Sequence, residues 1–574
     1  MLPQGLTEDG GRRARVILGA LALLFVALCV PSLNRPIEKW ENQNFSAAER
    51  LATTGGLGDA EQIGAILIHP PVWCYTMAAA FRLFGVGDAQ AKIPGLLVVL
   101  ATGLVLFSLA KLALGDERKA LIAAGLYLLH PLVIQGGLSD DFTDGTLLPL
   151  ALLSFFVCWF RSSSWPEAKR TALLAAVFAV CLWTKLTTPL GLIPCLWLFS
   201  LVKDRGVRWN PIQSASLIAI AGGAAFALTW SAYCRALSAS SGVPMSELLL
   251  RPLKFITNSG GGTFSVTGVP WRDYAVLWAR ALLWFGPLLF STAAWAMLRR
   301  VKQLAGGAET VGRDILLIFA LIVMAAYTVM QGGAGAFPKY FIALVPFLAL
   351  YAADAIDFNA GLAEISLLFA GGLAYYFFIA GDPLYVLNYG LRGCALNSDC
   401  RAQALRLALK LALYALPVVG LGAFSAARSE KHFFSSRILV LIFSAQTAMS
   451  LLQATSPYFV RYFYGASISD FRSAVEKISG LPEPRTALAP GTFLFLARAH
   501  SVRCENARGN VWEHPDAIER CVADGAPQSF VYGLPENTIG QVMSISRDKT
   551  LDAILARRYR KQAVGDWTVW TRDD

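Results

Sequence analysis

Two acidic loops and a set of scattered cations are the residues of this 574-residue chain best suited to chemistry. The first loop, 34–64, runs from an apolar stretch at 16–33 to Ile66-Leu67-Ile68-His69-Pro70-Pro71, and it carries Glu38, Glu41, Glu49, Asp59 and Glu61. The second, 138–144, carries Asp140, Asp141 and Asp144. Acids at the mouths of apolar helices usually have a functional reason to be there. A carboxylate so placed can take a proton from an acceptor, and several together can hold a divalent cation through oxygen. His69, Arg82, Lys185, Arg251, Lys254 and Lys339 stand in or beside apolar stretches, where a positive charge can neutralise a phosphate. Each residue also has a plainer reading. Glu41 could be a solvated loop acid, Asp144 the N-cap of a helix starting near Gly145, the lysines and arginines snorkelling side chains, and His69 a packed imidazole.

The elements that must position these residues are membrane helices. Only 16% of the chain is charged and 55% is hydrophobic, whereas soluble domains carry about a quarter charged residues. Charge-poor runs of about 18 to 22 residues recur, each long enough to cross a bilayer. The first, 16–33, follows Arg12, Arg13 and Arg15 and has no small-residue cleavage site, so it reads as an uncleaved helix with a cytoplasmic N-terminus at 1–15. The piece 65–84 is broken by His69-Pro70-Pro71 and Arg82 and reads as interfacial or re-entrant. Spans are then expected at 93–113, 120–137, 145–160, 171–186, 188–203, 214–234, 274–298, 314–331, 340–356, 361–381, 404–425 and 436–454, about thirteen with the first. This arrangement puts the basic clusters 111–119, 161–170, 203–208, 299–313 and 428–437 on one side, as the positive-inside rule requires. The same rule accounts for the net charge of +11 without nucleic acid. Both acidic loops, the loop 236–273, the Gly-rich loop 331–339 and everything after about residue 455 fall on the other side.

The fold class expected is thus a polytopic α-helical membrane protein, 16–456, with a small extracytoplasmic α/β domain, 457–574. In the tail, β-type runs at Phe493–Ala497, Ser529–Leu534 and Trp567–Thr571 are flanked by helical patterns at Ile468–Ile478 and Leu551–Tyr559. Cys29, Cys74, Cys158, Cys181, Cys195 and Cys234 fall in or beside apolar segments and read as core residues. Cys394 with Cys400, and Cys504 with Cys521, lie in polar regions that would permit disulfides outside the cytoplasm. Asn258-Ser259-Gly260-Gly261-Gly262-Thr263 has no strand before it, so it reads as a lid or a linker rather than a phosphate loop. Aromatics from Trp278 to Trp284 read as lipid-facing or packing residues.

In order along 15–350 the motifs resemble the GT-C glycosyltransferases that use polyprenyl-phosphate sugars. The likeness is to the protein O-mannosyltransferase and lipid A aminoarabinose transferase branch. Trp40-Glu41-Asn42-Gln43-Asn44-Phe45 stands where that branch has an acidic pair and an aromatic. His69-Pro70-Pro71, Phe81-Arg82-Leu83-Phe84-Gly85 and Ala91-Lys92-Ile93-Pro94-Gly95 resemble its Pro-Pro, Leu-Phe-Gly and Ala-Arg-Leu-Pro run. His130-Pro131 followed by 139–144 resembles its second loop, Trp183-Thr184-Lys185 its Leu-Thr-Lys-Gly, and Lys339-Tyr340 with Pro346 its Arg-Tyr helix start. Two departures stand out: Asn42 replaces the second acid, and Asp140-Asp141-Phe142-Thr143-Asp144 replaces an Arg-Pro-Asp element.

The resemblance implies an inverting transferase of the inner membrane that works on the extracytoplasmic face. It would move a sugar from a polyprenyl phosphate to a lipid, polysaccharide or protein acceptor. Glu41 would be the base and Asp144 the second acid, with Asp140 and Asp141 beside it. His69, Lys185, Lys254, Lys339, Arg251 and Arg82 are the candidates to bind the phosphate, and a divalent cation is open. The rivals are a transporter or flippase of lipid-linked substrates and a transferase-like scaffold without activity. Transporters often show repeated halves; this chain shows none, and its acids sit in loops.

Overall fold

A computed structural model describes residues 8–35, 43–58, 63, 66–67, 69–138, 142–204, 209–258, 271–330, 338–356, 361–379, 401–428, 433–456, 467–489, 496–501, 519, 522, 527–533, 549–565 and 567–572. Glu38, Glu41, Asp59, Glu61, Asp140, Asp141, most of the Gly-rich run after Asn258, and both polar cysteine pairs lie outside them.

Helix follows helix from α1 (Glu8–Leu33). After the short α2 (Gln43–Thr53) come α3 (Val72–Phe84), α4 (Asp88–Leu114), α5 (Glu117–Leu128), α6 (Pro131–Leu138) and α7 (Leu148–Arg161). Then come α8 (Glu167–Thr184), α9 (Leu192–Asp204), α10 (Trp209–Ser241), α11 (Met245–Asn258), α12 (Trp271–Phe285), α13 (Pro287–Ala305) and α14 (Asp314–Met330). The bundle ends with α15 (Val345–Ala355), α16 (Leu362–Ala374), α17 (Arg401–Arg428) and α18 (Phe433–Thr455). Among the described residues, 6 helices are long and apolar enough to cross a membrane, or 8 if each of two bent pairs is one span. Every expected span coincides with helical structure. The one at 274–298 is broken, however: α12 and α13 meet at 107°, where Gly286 (φ 76°) takes a conformation only glycine adopts freely and Pro287 begins the next helix. α3 has 13 residues, about 20 Å at helical rise, too short to cross.

The turns follow from local chemistry. Between α4 and α5, Gly115 ends one helix in the left-handed region, and Asp116 starts the next by accepting from the Arg118 and Lys119 amides at 2.7 and 3.2 Å. Among the described residues, the loops at Lys119, Val202 and Thr310–Arg313 meet at one end of the bundle. Lys119 and Arg313 both reach Asp354, at 3.4 and 2.9 Å, Thr310 donates to the Val202 carbonyl at 3.3 Å, and Arg300 grips Asp314 with two hydrogen bonds at 2.7 and 2.6 Å.

The root of the acidic loop lies at the opposite end. There Lys92, 4% exposed, donates to the Ser32, Leu33 and Arg35 carbonyls and satisfies the open end of α1. Arg35 donates to Gln453 and Ser456 at the end of α18. Arg472, from the tail, donates to Asn34.

The tail contains α19 (Ile468–Ser479), α20 (Lys549–Leu555) and a five-stranded sheet. Its strands are β1 (Thr486–Leu488), β2 (His500–Ser501), β3 (Ser529–Gly533), β4 (Tyr559–Val564) and β5 (Trp567–Arg572), in the order β2-β1-β3-β5-β4. β1 runs parallel to β2 and β3, while β5 is antiparallel to β3 and β4. Phe471, Ala474, Val531, Trp567 and Val569 form its core. Two sequence expectations change here. Tyr559 begins an edge strand rather than ending a helix, and the described part of Phe493–Ala497 is not strand. β4 is exposed along most of its length, so no alternation of apolar residues marks it. Leu496 joins the tail core to the cluster of Phe45, Leu51, Trp73, Phe142 and Trp230, which seats the tail on the end of the bundle that carries the acidic loop.

Candidate active site

Asp144 does not cap a helix. It lies within a π-helical turn, Thr143–Leu147, where the Leu148 amide reaches back to the Thr143 carbonyl. Such turns are frequent at functional sites. Two contacts without side chains make room for it. A Cβ on Gly145 would meet the Gly136 Cα at 3.2 Å, and a Cβ on Gly95 would meet the Gly137 carbonyl oxygen at 2.3 Å. α6 is thereby held close between α4 and the turn. Thr146 ties the turn down by donating to the Phe142 carbonyl at 2.6 Å.

Facing Asp144 is Lys185, the residue that ends α8. Its backbone is extended (φ −161°, ψ 141°), and its amide closes on Cys181. The ammonium donates to the Asp144 carboxylate, and the two side chains are 6% and 2% exposed. Taking both charges out of water is costly, and the pair survives because each neutralises the other. The Tyr340 ring closes the far side, its centre 4.7 Å from the ammonium, so Lys185 is held between a carboxylate and an aromatic face. Behind the pair, Thr188 and Tyr327 share a hydrogen bond of 2.8 Å, fixing the turn after Lys185 to α14.

An aromatic wall rises from the same strand of chain. Trp183, two residues before Lys185, donates to Thr229 at 2.9 Å and meets Phe226, Trp230 and Tyr233 edge-on at 5.7 to 5.9 Å. Tyr233 reaches Tyr75 on α3. His130, at the 56° bend of α5 and α6, donates through Nε2 to the Phe285 carbonyl (3.0 Å) and accepts the Leu132 amide on Nδ1 (3.1 Å). It is therefore the neutral tautomer protonated at Nε2, and it locks the bend to the end of α12.

Of the residues singled out in the sequence, the structure brings together Asp144 and Lys185, with Tyr340 from the Lys339-Tyr340 element. His69 lies half-buried before α3, and Arg251 and Lys254 lie on the exposed side of α11. Lys339 stands in the 3₁₀ turn Pro338–Leu344 that presents Tyr340. Arg82 is engaged elsewhere: its guanidinium donates to the Leu51 and Ala52 carbonyls at 2.7 and 3.0 Å and caps α2, which lies within the acidic loop. Glu49, on α2, is half-buried; burial raises its pKa, while Arg498 and Arg50 pull it down. Among the described residues, no three acidic, imidazole or thiol side chains come together as a metal site. The six apolar-region cysteines are unpaired, and all but Cys158 are buried, as core residues would be. Tyr327, Thr188 and Arg280 carry no motif. Arg280 is 2% exposed and lies 4.9 Å from the Trp284 ring, which packs on Phe341. An arginine inside the apolar run 274–298 was the available signal for it.

Residues 68–233, the segment that holds His69, Asp144 and Lys185, match the family model of dolichyl-phosphate-mannose-protein mannosyltransferases. The crystal structure of ArnT from Cupriavidus metallidurans bound to undecaprenyl phosphate superposes with a TM-score of 0.60 over 97% of both chains, at 16% identity. The same protein without ligand gives a TM-score of 0.56, again over 97% of both chains and at 16% identity. The chain therefore has the fold of this ArnT. Among curated proteins no sequence matches the chain. The structural likeness to that ArnT covers 97% of both chains.

Proposed function

We propose that this chain is a polytopic inner-membrane glycosyltransferase that takes a sugar from a polyprenyl phosphate and passes it, with inversion, to an acceptor on the extracytoplasmic face. The observation that carries this reading is the buried Asp144–Lys185 pair under Tyr340, placed in a fold whose solved neighbour holds undecaprenyl phosphate. About thirteen spans, as the charge distribution requires, would place the acidic loop, Asp144 and the tail on one face.

In this reading Glu41 takes the acceptor proton as the anomeric carbon is attacked. Lys185 supplies positive charge to the departing phosphate, and Asp144 holds that ammonium in place until the phosphate competes for it. His69, Lys339, Arg251 and Lys254 are the further cations of this face, with Asp140 and Asp141 available to the acceptor or to a divalent cation. Arg82 acts at one remove, through α2. The tail domain, tied to Asn34 by Arg472, steadies the root of the acidic loop.

The test is mass spectrometry of envelope lipids, polysaccharides and glycoproteins from a deletion strain complemented with wild type, Glu41→Gln or Asp144→Asn. A glycan that disappears on deletion and returns only with wild type supports the reading and names sugar and acceptor. Full restoration by both variants would overturn these roles, and an unchanged envelope would favour a transporter of lipid-linked substrates.

A further inference from the structure

Away from the pair described above, α16, α17 and α18 enclose a groove of about 640 Å³. Its walls are apolar, from Leu367, Leu368, Leu416, Leu421, Phe424 and Leu441. One polar feature marks it: Glu364 and Arg437 form an ion pair within its lining. The Arg437 side chain is 11% exposed and that of Glu364 is 40% exposed, so the acid still has a free side. The outer wall, α17, is open along most of its length: only 11% of its apolar span is buried, and Leu405, Leu409, Leu416 and Val419 are all more than half exposed. In a membrane chain such a face meets lipid.

Two glycines shape the space. A Cβ on Gly371, in α16, or on Gly420, in α17, would meet nothing within 4 Å, although both residues line the groove. Glycine costs helix stability without a packing reason. Here its effect is to leave a slot open rather than to let two backbones touch.

We propose that this groove holds a structural zwitterionic phospholipid of the phosphatidylethanolamine type. An acyl chain lies between α16 and α17, the lipid phosphate rests on Arg437, and its ammonium rests on the open side of Glu364. Charge complementarity selects this occupant. A fixed pair of opposite charges at the groove matches a head group that carries both signs. A purely anionic lipid would meet Glu364 unfavourably, and a polyprenyl phosphate has no cation to offer it. The site is separate from the proposed transfer chemistry and holds whatever the sugar.

The experiment is native mass spectrometry and lipid extraction of the full-length protein purified in mild detergent from membranes of mixed phospholipid. The predicted result is phosphatidylethanolamine retained in stoichiometric amount and enriched over phosphatidylglycerol relative to the membrane. In Gly371→Leu/Gly420→Leu, whose Cβ atoms would meet nothing within 4 Å, retention should fall about tenfold or more while the folded yield is kept, since methylenes added to a filled site overpack it. Glu364→Gln should remove the preference over phosphatidylglycerol and leave lipid bound. The proposal is overturned if retained lipid follows bulk composition, if the filled variant keeps the same lipid, or if polyprenyl phosphate or a second copy of the chain occupies the site instead.

Discussion

Replacing Asp144 by Asn isolates the Lys185 ammonium in a place where it is 6% exposed and its former partner 2%. The amide keeps the shape and a carbonyl acceptor but removes the charge. Two unit charges about 4 Å apart attract by roughly 4 kcal/mol at an effective dielectric of 20. Breaking a buried pair from one side costs about 3–5 kcal/mol, because the remaining charge is left uncompensated. The Tyr340 ring, 4.7 Å from the ammonium, faces it in both proteins, so that contact cancels from the difference. A loss of about 3–5 kcal/mol follows, a fall in Tm of several degrees. Removing both charges in Asp144→Asn/Lys185→Met leaves no buried ion and should return most of that stability, though no turnover. The assay is thermal unfolding of detergent-purified protein for wild type, both single variants and the double variant. Additive losses in the double variant, or an Asp144→Asn protein as stable as wild type, would refute the claim that the pair is buried and mutually dependent.

Three further outcomes follow from named contacts. Gly95→Ala drives a methyl into the Gly137 carbonyl, 2.3 Å away, so α4 and α6 must part; Tm should fall by the equivalent of about 1–3 kcal/mol, and Asp144, carried by the next turn, should lose activity with it. Lys92→Met leaves the carbonyls of Leu33 and Arg35 without this donor, while Ser32 keeps the Arg35 amide at 3.3 Å; the loss is about 1–3 kcal/mol for each buried group left unsatisfied, visible as lower Tm and lower turnover. Glu49 has a folded-state pKa raised above its ordinary 4.5 by burial. The folded protein therefore holds that proton to higher pH than the unfolded chain, and stability from this group is full below 4.5 and declines as pH rises through the raised value. Thermal unfolding of Glu49→Gln across that window should show a flatter pH dependence than wild type.

Much of the scaffold was legible because bilayer thickness and loop charge are strong constraints. The expected spans coincide with helices, and the side expected to be shared by 111–119 and 299–313 agrees with Lys119 and Arg313 reaching one aspartate. The break at Gly286 was not legible, because 274–298 is apolar on both sides of a single glycine and hydropathy has no term for a 107° turn. At the site, Asp144 and Lys185 stood out by type and by motif, but their mutual pairing did not, since 41 residues separate them. Arg82 looked like a phosphate ligand because a cation in an apolar run draws notice, and its use as a cap for α2 depends on a fold contact 30 residues back in the chain. Tyr327 and Thr188 were invisible because neither residue type signals anything alone. β4 was missed because an exposed edge strand rich in charge follows the needs of solubility rather than alternation.

The most direct test of the central claim is release of free polyprenyl phosphate by the purified protein in liposomes. These would be supplied with the lipid-linked sugar pool and acceptors extracted from host membranes. Wild type should release it in step with sugar transfer, and Glu41→Gln, still inserted and folded, should be slower by about 10²–10⁴, the contribution of a positioned base. No release by wild type, or equal release by Glu41→Gln, would contradict the account.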